Sequence, residues 1–332
     1  MRKLFYRFTF LLILCLMSGC AGSPSFLQPA SPIASAEADL YRTLFVVSVV
    51  VFVIVEGLLL YVVMRFRKRP GREITPLQQY RAYFVEALYT LIPVVVVVVI
   101  FILTLRTMQT VAAPPEQAGD VNIHVLGHQW WWEFDYPDQD VITANELHIP
   151  VNTNVYLTLD TVDVIHSFYV PQLSGKTDVM AGMTNHMWLR GDTVGEYHGQ
   201  CAEYCGLNHA NMRFTVFVDT PQDYQAWITN QQQPPPDPQT PMQKDGQNMI
   251  VNGICGSCHL LGEEGPEHVA PNLTHLFSRS RFAGDTFDLN EENLRKWLLD
   301  NQAMKPGNDM IHIKDLPQSH IDALVSYLMQ LK

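Results

Sequence analysis

Two long apolar stretches constrain what this chain of 332 residues can fold into more than any other feature. Residues 40–64 are almost entirely apolar, and residues 83–105 include an unbroken run of valines at positions 94–99. Each stretch is long enough to cross a lipid bilayer as a helix. Such a uniform apolar run disfavours a helical hairpin buried in a soluble core. The sequence therefore predicts a two-helix transmembrane hairpin over residues 40–111.

The segment before the first span has the features of an export signal. It combines basic residues at its start, an apolar run over residues 8–17 and small residues that end at Cys20. Its last four residues, Met-Ser-Gly-Cys, resemble a bacterial lipobox, which implies that Cys20 is lipidated. An ordinary signal, cleaved or retained, is the alternative. We assign residues 1–20 to the signal and the Ser-, Pro- and Ala-rich residues 21–39 to a tether.

Charge is distributed unevenly along the chain. Between the two spans lie six basic side chains and one acidic side chain, which predicts a cytoplasmic loop and places both the N-terminus and the C-terminal portion outside. Residues 1–111 carry 11 basic and 5 acidic side chains, a net charge of +6. Residues 112–332 carry 11 basic and 28 acidic side chains, a net charge of −17. This acidic portion favours a basic protein partner and excludes nucleic acid.

Residues 112–220 contain short runs in which apolar and polar side chains alternate. Turn residues separate the runs at intervals of about ten residues, which is typical of an antiparallel β-sandwich. The predicted strands are Val121–Leu126, Glu146–Ile149, Val155–Leu159 and Arg213–Val218.

Soft metal ligands are concentrated just before the last of these strands. Cys201, Cys205, His209 and Met212 lie within twelve residues, and thiolate, imidazole and thioether together suit copper better than zinc, calcium or magnesium. A mononuclear blue-copper site needs one cysteine, so two cysteines favour two metals bridged by both thiolates. His166 is the best candidate for a second histidine. A disulfide between the two cysteines is the alternative.

This loop, together with the segment His166–Pro171, resembles the binuclear copper centre of subunit II of the haem-copper cytochrome c oxidases. The resemblance implies a cupredoxin-like fold and two copper ions that share both thiolates. One copper ion would add a histidine and the methionine, and the other a histidine and the backbone carbonyl of the residue between the cysteines. The ligands implied are His166, Cys201, Glu203 (carbonyl), Cys205, His209 and Met212.

Three adjacent tryptophans, Trp130, Trp131 and Trp132, precede the predicted copper loop. Side chains alternate between the faces of a strand, so at least one of the three should be exposed or at an interface. The stretch resembles the aromatic patch through which the family's subunit II accepts electrons, and Trp130 matches the accepting tryptophan. Packing in the sandwich core or anchoring at the membrane surface is the alternative.

Several charged residues match functional positions of the same family. Glu86, at the cytoplasmic start of the second span, resembles the glutamate at the mouth of the proton channel; an interfacial acid without a function is the alternative. The resemblance implies that the Glu203 side chain ligates a magnesium ion shared with subunit I. Lys176 and Asp178 match positions at the subunit I interface, whereas Glu56 has no assigned role.

A second motif follows a polar, proline- and glutamine-rich linker, which we place at residues 221–240. Cys255, Cys258 and His259 form a C-x-x-C-H sequence, which reads as a covalent attachment site for a c-type haem with histidine as the fifth iron ligand. A redox-active cysteine pair and a metal site are the alternatives for the motif alone. Predicted helices at residues 245–254 and 318–331 favour the haem.

The residues after this motif resemble a class I cytochrome c, which implies an all-α domain over residues 241–332. The resemblance implies that the Pro271 carbonyl accepts a hydrogen bond from the other ring nitrogen of His259. Met310, which follows Lys-Pro-Gly at the family's spacing, is the predicted sixth ligand. Ile311 stands where the family has proline, and Met304 is the alternative ligand.

A copper-binding sandwich fused to a cytochrome c resembles subunit II of the caa-type oxidases. The resemblance implies that electrons pass from haem c to the copper pair and then to subunit I, where oxygen is reduced to water with proton translocation. The chain lacks the intramembrane histidines that oxygen chemistry needs, so it would be the electron-delivery subunit. The implied partners are subunits I and III, membrane lipid, and cytochrome c or an upstream cytochrome c reductase as the electron donor.

The implied location is the bacterial inner membrane, with the copper and haem domains on the extracytoplasmic side. The main rival is a membrane-tethered electron carrier that is not part of an oxidase. A nitrous oxide reductase would add a histidine-rich copper cluster that this sequence lacks. A quinol oxidase subunit II would lack the copper ligands.

Overall fold

The structure is a computed structural model that describes residues 24–67, 82–112, 114, 120–262, 269–311 and 316–332. The predicted signal with Cys20, and most of the basic loop between the spans, lie outside the described residues.

Two long apolar helices contain the predicted spans. Helix α1 is Pro32–Phe66 and helix α2 is Tyr83–Val111. Both are long and apolar enough to cross a membrane, and the most apolar 18-residue window of each is left uncovered by the rest of the protein. The two helices pack side by side. This arrangement fits the predicted transmembrane hairpin.

Helix α1 begins before the predicted span and differs there from the predicted tether. Ser31 caps the helix by accepting a hydrogen bond from the Ala34 backbone N–H at 2.9 Å, and Pro32 occupies the first turn, where its missing N–H is not needed. The Ser31 hydroxyl also donates to the Leu173 carbonyl of the β-sandwich. Because Ala34 and Ala38 are fully buried, residues 32–39 form a packed helix rather than a tether.

Residues 121–219 form two five-stranded sheets packed as a sandwich. The strands are β1 Val121–His128, β2 Trp131–Tyr136, β3 Val141–Ala144, β4 Glu146–Pro150, β5 Val155–Thr161, β6 His166–Tyr169, β7 Lys176–Val179, β8 Asn185–Leu189, β9 Gly195–Cys201 and β10 Arg213–Asp219. The strand orders are β3-β2-β1-β5-β8 in the first sheet and β4-β10-β9-β6-β7 in the second. Two of the strand pairs, β1 with β5 and β4 with β10, are parallel, so the prediction of an antiparallel sandwich is wrong for these pairs.

Four aromatic side chains fill the centre of the sandwich. Trp132 and Phe134 point inwards from alternate positions of β2, and Phe168 and Phe214 meet them from β6 and β10; all four are fully buried. The ring of Trp132 lies edge-on to Phe168 at 5.5 Å and to Phe214 at 5.7 Å between ring centroids. Phe168 and Phe214 stack at 4.6 Å. This aromatic core supports the strand ends that carry the predicted copper ligands.

The first half of the predicted linker is instead a helix. Helix α3, Pro221–Gln231, starts with a Thr220 cap, and its side chains Tyr224 and Ile228 are buried in the sandwich core. Of the predicted linker, residues 221–240, only residues 232–240 lie outside helices and strands. The helix therefore belongs to the sandwich and shortens the connection to the C-terminal domain.

The C-terminal domain is built around three helices, α4 Pro241–Val251, α5 Glu291–Met304 and α6 Gln318–Leu328. Gly246 of α4 lets this helix approach α6 closely, because a Cβ there would lie 2.2 Å from the Ala323 carbonyl oxygen. The domain also has a small β-hairpin with two residues in each strand, β11 Arg281–Phe282 and β12 Phe287–Asp288, which the all-α prediction did not include.

This hairpin and the residues before it pack the C-terminal domain onto the sandwich. The Glu146 carboxylate of β4 accepts two hydrogen bonds, both at 2.8 Å, from the backbone N–H and the hydroxyl of Ser280. The Thr215 hydroxyl of β10 donates to the Asp285 carboxylate at 3.2 Å. Glu146 and Asp285 are both buried. The two domains are thus joined by buried polar contacts as well as by the chain.

We expect Asp285→Asn to raise the free energy of unfolding at pH 7.5 by up to about 3 kcal/mol, at about 1.4 kcal/mol per pKa unit. Burial raises the pKa of Asp285 to about 6, although Arg281, Thr215 and His198 act to lower it; nearby Glu146 raises it further. The folded state therefore binds this proton more tightly than the unfolded state does. The stability that this proton adds to the folded state is lost as pH rises from about 4 through 6. The pH dependence of the melting midpoint of the purified chain measures this effect.

Asp288→Asn is the matched control, because Asp288 pairs with the same Arg281 at 2.7 Å but its side chain is 74% exposed. Its substitution should leave the pH dependence of melting unchanged. A melting midpoint of Asp285→Asn that follows pH as the unaltered chain does would contradict the prediction.

Candidate metal centre

The ends of three strands bring the predicted copper ligands together. His166 is the first residue of β6, Cys201 is the last residue of β9, and Met212 directly precedes β10. Strand β9 lies between β6 and β10 in the sheet. The Cys201 backbone N–H donates to the Met212 carbonyl at 3.0 Å, which closes the neck of the loop between them. The strand pairing therefore fixes where the ligands meet.

All six predicted ligand groups converge at this point. The two cysteine sulfurs lie 3.8 Å apart. The Cys201 sulfur lies 3.9 Å from His166 Nδ1 and 3.2 Å from the Glu203 carbonyl oxygen. The Cys205 sulfur lies 3.6 Å from His209 Nδ1 and 3.7 Å from the Met212 sulfur. The cluster contains the ligand types expected for a binuclear copper centre.

Cys201 and Cys205 are free thiols in this structure, because their sulfurs lie 3.8 Å apart and an S–S bond is about 2.05 Å long. A hydrogen bond with Cys205 holds the pKa of Cys201 well below its usual value, and the same contact raises the pKa of Cys205. One of the two sulfurs is therefore readily a thiolate, which is the form that binds metal.

His166 is held in place by Asp163. Its Nε2 atom lies 2.8 Å from an Asp163 carboxylate oxygen, which leaves Nδ1 directed at the Cys201 sulfur. Burial favours neutral His166, but the contacts with Asp163 and Cys201 together outweigh burial and raise the pKa of the imidazole. Burial likewise acts to raise the pKa of Asp163, but hydrogen bonds from His166 and from the Gln129 and Val164 backbone N–H groups hold it below its usual value. Such a partner fixes the orientation of a metal-ligating histidine.

The turn before β2 also contacts the ligand loop. The Gln129 side-chain amide and the Trp130 indole N–H both donate to the Cys205 carbonyl oxygen, at 2.7 Å and 3.0 Å. Gly206 allows this approach, because its φ of +114° is rare for residues with a side chain and a Cβ would lie 3.0 Å from the Gln129 amide. Trp130 is 8% exposed.

The residues of the C-x-x-C-H motif begin where α4 ends. Cys255 and Cys258 lie in and after a 3₁₀ turn, Ile254–Ser257, and neither is in a disulfide. His259 Nδ1 lies 2.8 Å from the Pro271 carbonyl oxygen, as the resemblance implied. Met310 packs against the domain core, and the Trp297 indole N–H donates to its sulfur at 3.0 Å. These groups have the types and order expected of a c-type haem site.

Comparisons with known proteins cover nearly the whole chain. Family profiles match the transmembrane domain of cytochrome c oxidase subunit II over residues 21–107, its periplasmic domain over residues 140–218, and cytochrome c over residues 243–332. Cytochrome c oxidase subunit 2 of Alkalihalophilus pseudofirmus is 33% identical over 322 residues, which are 95% of this chain and 94% of the relative. The chain belongs to the cytochrome c oxidase subunit 2 family.

Two further proteins are similar to parts or most of this chain. Cytochrome c oxidase subunit 2 of Bacillus sp. strain PS3 is 36% identical, over 96% of this chain and 94% of the relative. A crystal structure of the periplasmic domain of subunit II of cytochrome oxidase from Bradyrhizobium japonicum is 28% identical, covers 35% of this chain and 95% of that chain, and has a TM-score of 0.34. The family carries a copper centre and, in the members with a cytochrome c domain, a haem. As a subunit II with two apolar helices, the chain is a membrane protein that associates with subunit I.

All three adjacent tryptophans of this subunit II are buried. Trp132 lies in the core, Trp131 stacks on His128 with 4.1 Å between ring centroids, and Trp130 lies in the turn before β2. Trp130 is at an interface, because its backbone carbonyl contacts Lys305 of the C-terminal domain. The Trp130 side chain itself packs with the sandwich core, and its role in accepting electrons stays a prediction.

The remaining predicted residues lie apart from the ligand cluster or at its edge. Glu86 is exposed in the first turn of α2, in a separate element from the sandwich. The Glu203 carboxylate is partly exposed and forms neither a hydrogen bond nor an ion pair with other described residues. Lys176 and Asp178 lie on β7 at the edge of the second sheet. Their predicted roles involve other subunits and stay predictions.

Sequence reasoning missed three residues of this site. Asp163 precedes His166 by three positions, and a carboxylate so near a candidate ligand histidine is a signal that could have identified it. Gln129 and Lys305 gave no such signal, because their contacts are made with residues 76 and 175 positions away.

Proposed function

We propose that this chain passes electrons from a covalently bound haem c to a binuclear copper centre and on to subunit I, which reduces oxygen to water with proton translocation. The observation that carries the proposal is the convergence of six soft and carbonyl ligands at the ends of β6, β9 and β10. Membership of the cytochrome c oxidase subunit 2 family supports it.

The ligand cluster fits copper on the chemistry of its atoms. Cys201 and Cys205 would bridge two copper ions, and His166, His209, Met212 and the Glu203 carbonyl would complete their coordination. The sulfur, nitrogen and thioether donors match the softness of copper, and the buried cysteine and methionine side chains keep water away. When bound, such a copper pair takes up and releases one electron. Asp163 orients the His166 ring, and Gln129 and Trp130 hold the Cys205 carbonyl, so these residues would keep the ligands in place.

The C-terminal domain fits a haem in the same way. Cys255 and Cys258 would form the thioether bonds, His259 Nε2 would ligate the iron, and the Pro271 carbonyl holds the ring by its Nδ1–H. Met310 is proposed as the sixth ligand. When bound, the haem supplies a one-electron carrier whose potential is raised by a methionine ligand.

The finer assignments that follow from the family belong to the same proposal. The chain would lie in the bacterial inner membrane with the copper and haem domains on the extracytoplasmic side, and Cys20 would anchor it to lipid. Glu86 would take up protons for subunit I, and the Glu203 side chain would share a magnesium ion with that subunit. Subunit III, and cytochrome c or a cytochrome c reductase as electron donor, would complete the set of partners.

Metal and optical analysis of the purified full-length chain tests the proposal. We expect two copper ions and one covalent haem per chain, the electron-spin signal of one electron shared by two copper nuclei, and a large polytopic subunit that co-purifies. A mononuclear copper signal would overturn the binuclear centre. Both metal centres without a polytopic partner would instead favour a membrane-tethered electron carrier.

Asp163→Asn is expected to weaken copper binding by about 10- to 100-fold, the usual effect of losing the partner of a ligating histidine. The amide can no longer accept the hydrogen bond with the same strength, so His166 Nδ1 is held less firmly towards Cys201. Copper retention during titration with a chelator measures the change.

Asp160→Asn is a suitable control, because Asp160 contacts a histidine, His124, at a comparable 2.9 Å on β1 and not in the ligand cluster. Equal copper retention in Asp163→Asn and Asp160→Asn would contradict the role of Asp163.

A further inference from the structure

Lys305 of the C-terminal domain is inserted against the sandwich. It is 3% exposed, which is rare for lysine. Its ammonium nitrogen donates to three backbone carbonyl oxygens, those of Trp130 at 2.9 Å, Asn211 at 3.0 Å and Ala283 at 2.8 Å. Three hydrogen bonds are the full capacity of an ammonium group. The side chain is therefore fully satisfied by these contacts.

The three acceptors join two domains at the copper loop. Ala283 lies in the hairpin of the C-terminal domain, whereas Trp130 and Asn211 belong to the sandwich, 175 and 94 residues from Lys305. Asn211 directly precedes the methionine of the ligand cluster, and the Trp130 indole donates to the Cys205 carbonyl. Lys305 thus contacts the ligand loop and the tryptophan that supports it at the same time.

The turn after Lys305 extends this contact and leads to the proposed haem ligand. The Asn208 side-chain amide, buried in the copper loop, donates to the Pro306 carbonyl at 2.8 Å. Asn308 donates to the Lys305 carbonyl at 2.7 Å and accepts from the Met310 backbone N–H at 3.0 Å. One short, internally bonded turn therefore connects the haem side with the copper side.

Gly284 of the hairpin makes the close fit possible. A Cβ at this position would lie 2.6 Å from the Asn211 carbonyl oxygen and 2.8 Å from both the Lys305 nitrogen and the Trp130 carbonyl oxygen. Its φ of +74° is also a conformation that favours glycine. Any larger residue would move the hairpin away from the copper loop.

Two of the three hydrogen bonds of Lys305, those to Trp130 and Asn211, exist only while the two domains are in contact. In the part of the chain that the structure describes, no carboxylate pairs with Lys305, and the groups that contact its ammonium nitrogen are backbone carbonyls. Burial lowers the pKa of Lys305 to about 7, and the Cys205 sulfur opposes this shift. Removal of the ammonium group would leave buried carbonyls without a donor, which is more costly than never having made the bonds.

We propose that Lys305 is the positioning residue that seats the haem-carrying domain on the copper loop. It thereby sets the rate of electron transfer between the two centres, and the seated domain covers the copper loop against external donors. The inference rests on the proposed function. It implies that the copper centre of this chain accepts electrons from the chain's own C-terminal domain, and that an external donor reaches the copper only through that domain.

The test is Lys305→Met in the complete oxidase, with an electron injected into the haem by a photoactivated ruthenium complex. Methionine is unbranched and only one atom shorter than lysine, but it cannot donate a hydrogen bond. We expect the first-order rate at which the haem passes its electron to copper to fall about tenfold or more, since losing even one hydrogen bond to a charged donor shifts a docking equilibrium about that much. Direct reduction of copper by a small external reductant should become faster, because the copper loop is uncovered.

Lys296→Met is the matched control, since it removes the same charge from the same domain. Lys296 pairs with Glu292 on the surface of α5, with 57% of its side chain exposed, and lies outside the interface. It should change neither rate. If Lys305→Met only undocks the C-terminal domain, transfer from haem to copper slows while direct reduction of an intact copper centre becomes faster. General destabilisation of the protein would slow the internal transfer without making that direct reduction faster.

Gly284→Ala provides a second test if Lys305→Met does not assemble. Like Lys305→Met, it should slow electron transfer from haem to copper. Gly262→Ala should not, because Gly262 also has a positive φ but has nothing within 4 Å of the added Cβ. Unchanged internal transfer in either Lys305→Met or Gly284→Ala, with haem and copper spectra intact, would overturn the proposal. Absence of haem-to-copper transfer in the unaltered oxidase would instead overturn the proposed function itself.

Discussion

Replacing Cys205 with serine should abolish the binuclear copper centre and lower oxygen consumption by on the order of a hundredfold or more, because loss of an outer partner alone costs 10–100-fold. The Cys205 sulfur is the central atom of the cluster, within 4 Å of the Cys201 sulfur, His209 Nδ1 and the Met212 sulfur. A serine hydroxyl is a harder ligand and stays protonated at neutral pH, so it cannot bridge two copper ions as a thiolate does. Copper content, electron-spin spectra and oxygen uptake measure the loss.

Cys258→Ser is the informative control, since it makes the same chemical change in the other domain. It should remove one thioether bond to the haem while the shared-electron copper signal survives. Retention of that signal in Cys205→Ser would show that this sulfur does not bridge the metals.

The ligand cluster could be predicted from the sequence because its chemistry is local. Cys201, Cys205, His209 and Met212 occur at fixed spacings in one loop, and a loop of this length can bring them together only in a few ways. The histidine from outside the loop, His166, lies on the neighbouring strand β6, as expected for a site formed where the strands of a sandwich begin and end. The hydrogen bond between His259 and Pro271 was likewise implied by a short segment.

Features that depend on distant parts of the chain could not be predicted in this way. Alternation along β1 and β5 indicates strands, but their parallel pairing depends on how the chain connects them. Helix α3 has local signals, a Thr220 cap followed by Pro221, yet its polar composition resembles a linker until Tyr224 and Ile228 are seen in the sandwich core. Lys305 carried a motif but no sign of its partners, which are backbone carbonyls of another domain.

Met310→Leu should leave the haem without its sixth ligand and lower its reduction potential by on the order of 0.1 V, a modest part of the range that axial ligands span. Met310 packs against the core of the C-terminal domain, and its sulfur accepts a hydrogen bond from the Trp297 indole at 3.0 Å, which fixes the side chain against that core. Leucine preserves most of the packing but has no sulfur. Optical spectra of the reduced and oxidised haem and a redox titration measure the change.

Met304→Leu separates the two candidate ligands, because Met304 is the last residue of α5 and lies six positions before Met310. Its substitution should leave the spectrum and the potential of the haem unaltered. A lowered potential in Met304→Leu together with an unchanged haem in Met310→Leu would transfer the ligand role to Met304. Because the turn from Lys305 to Met310 is internally bonded, Met310→Leu should also keep the C-terminal domain seated, so direct reduction of copper by an external reductant should stay slow.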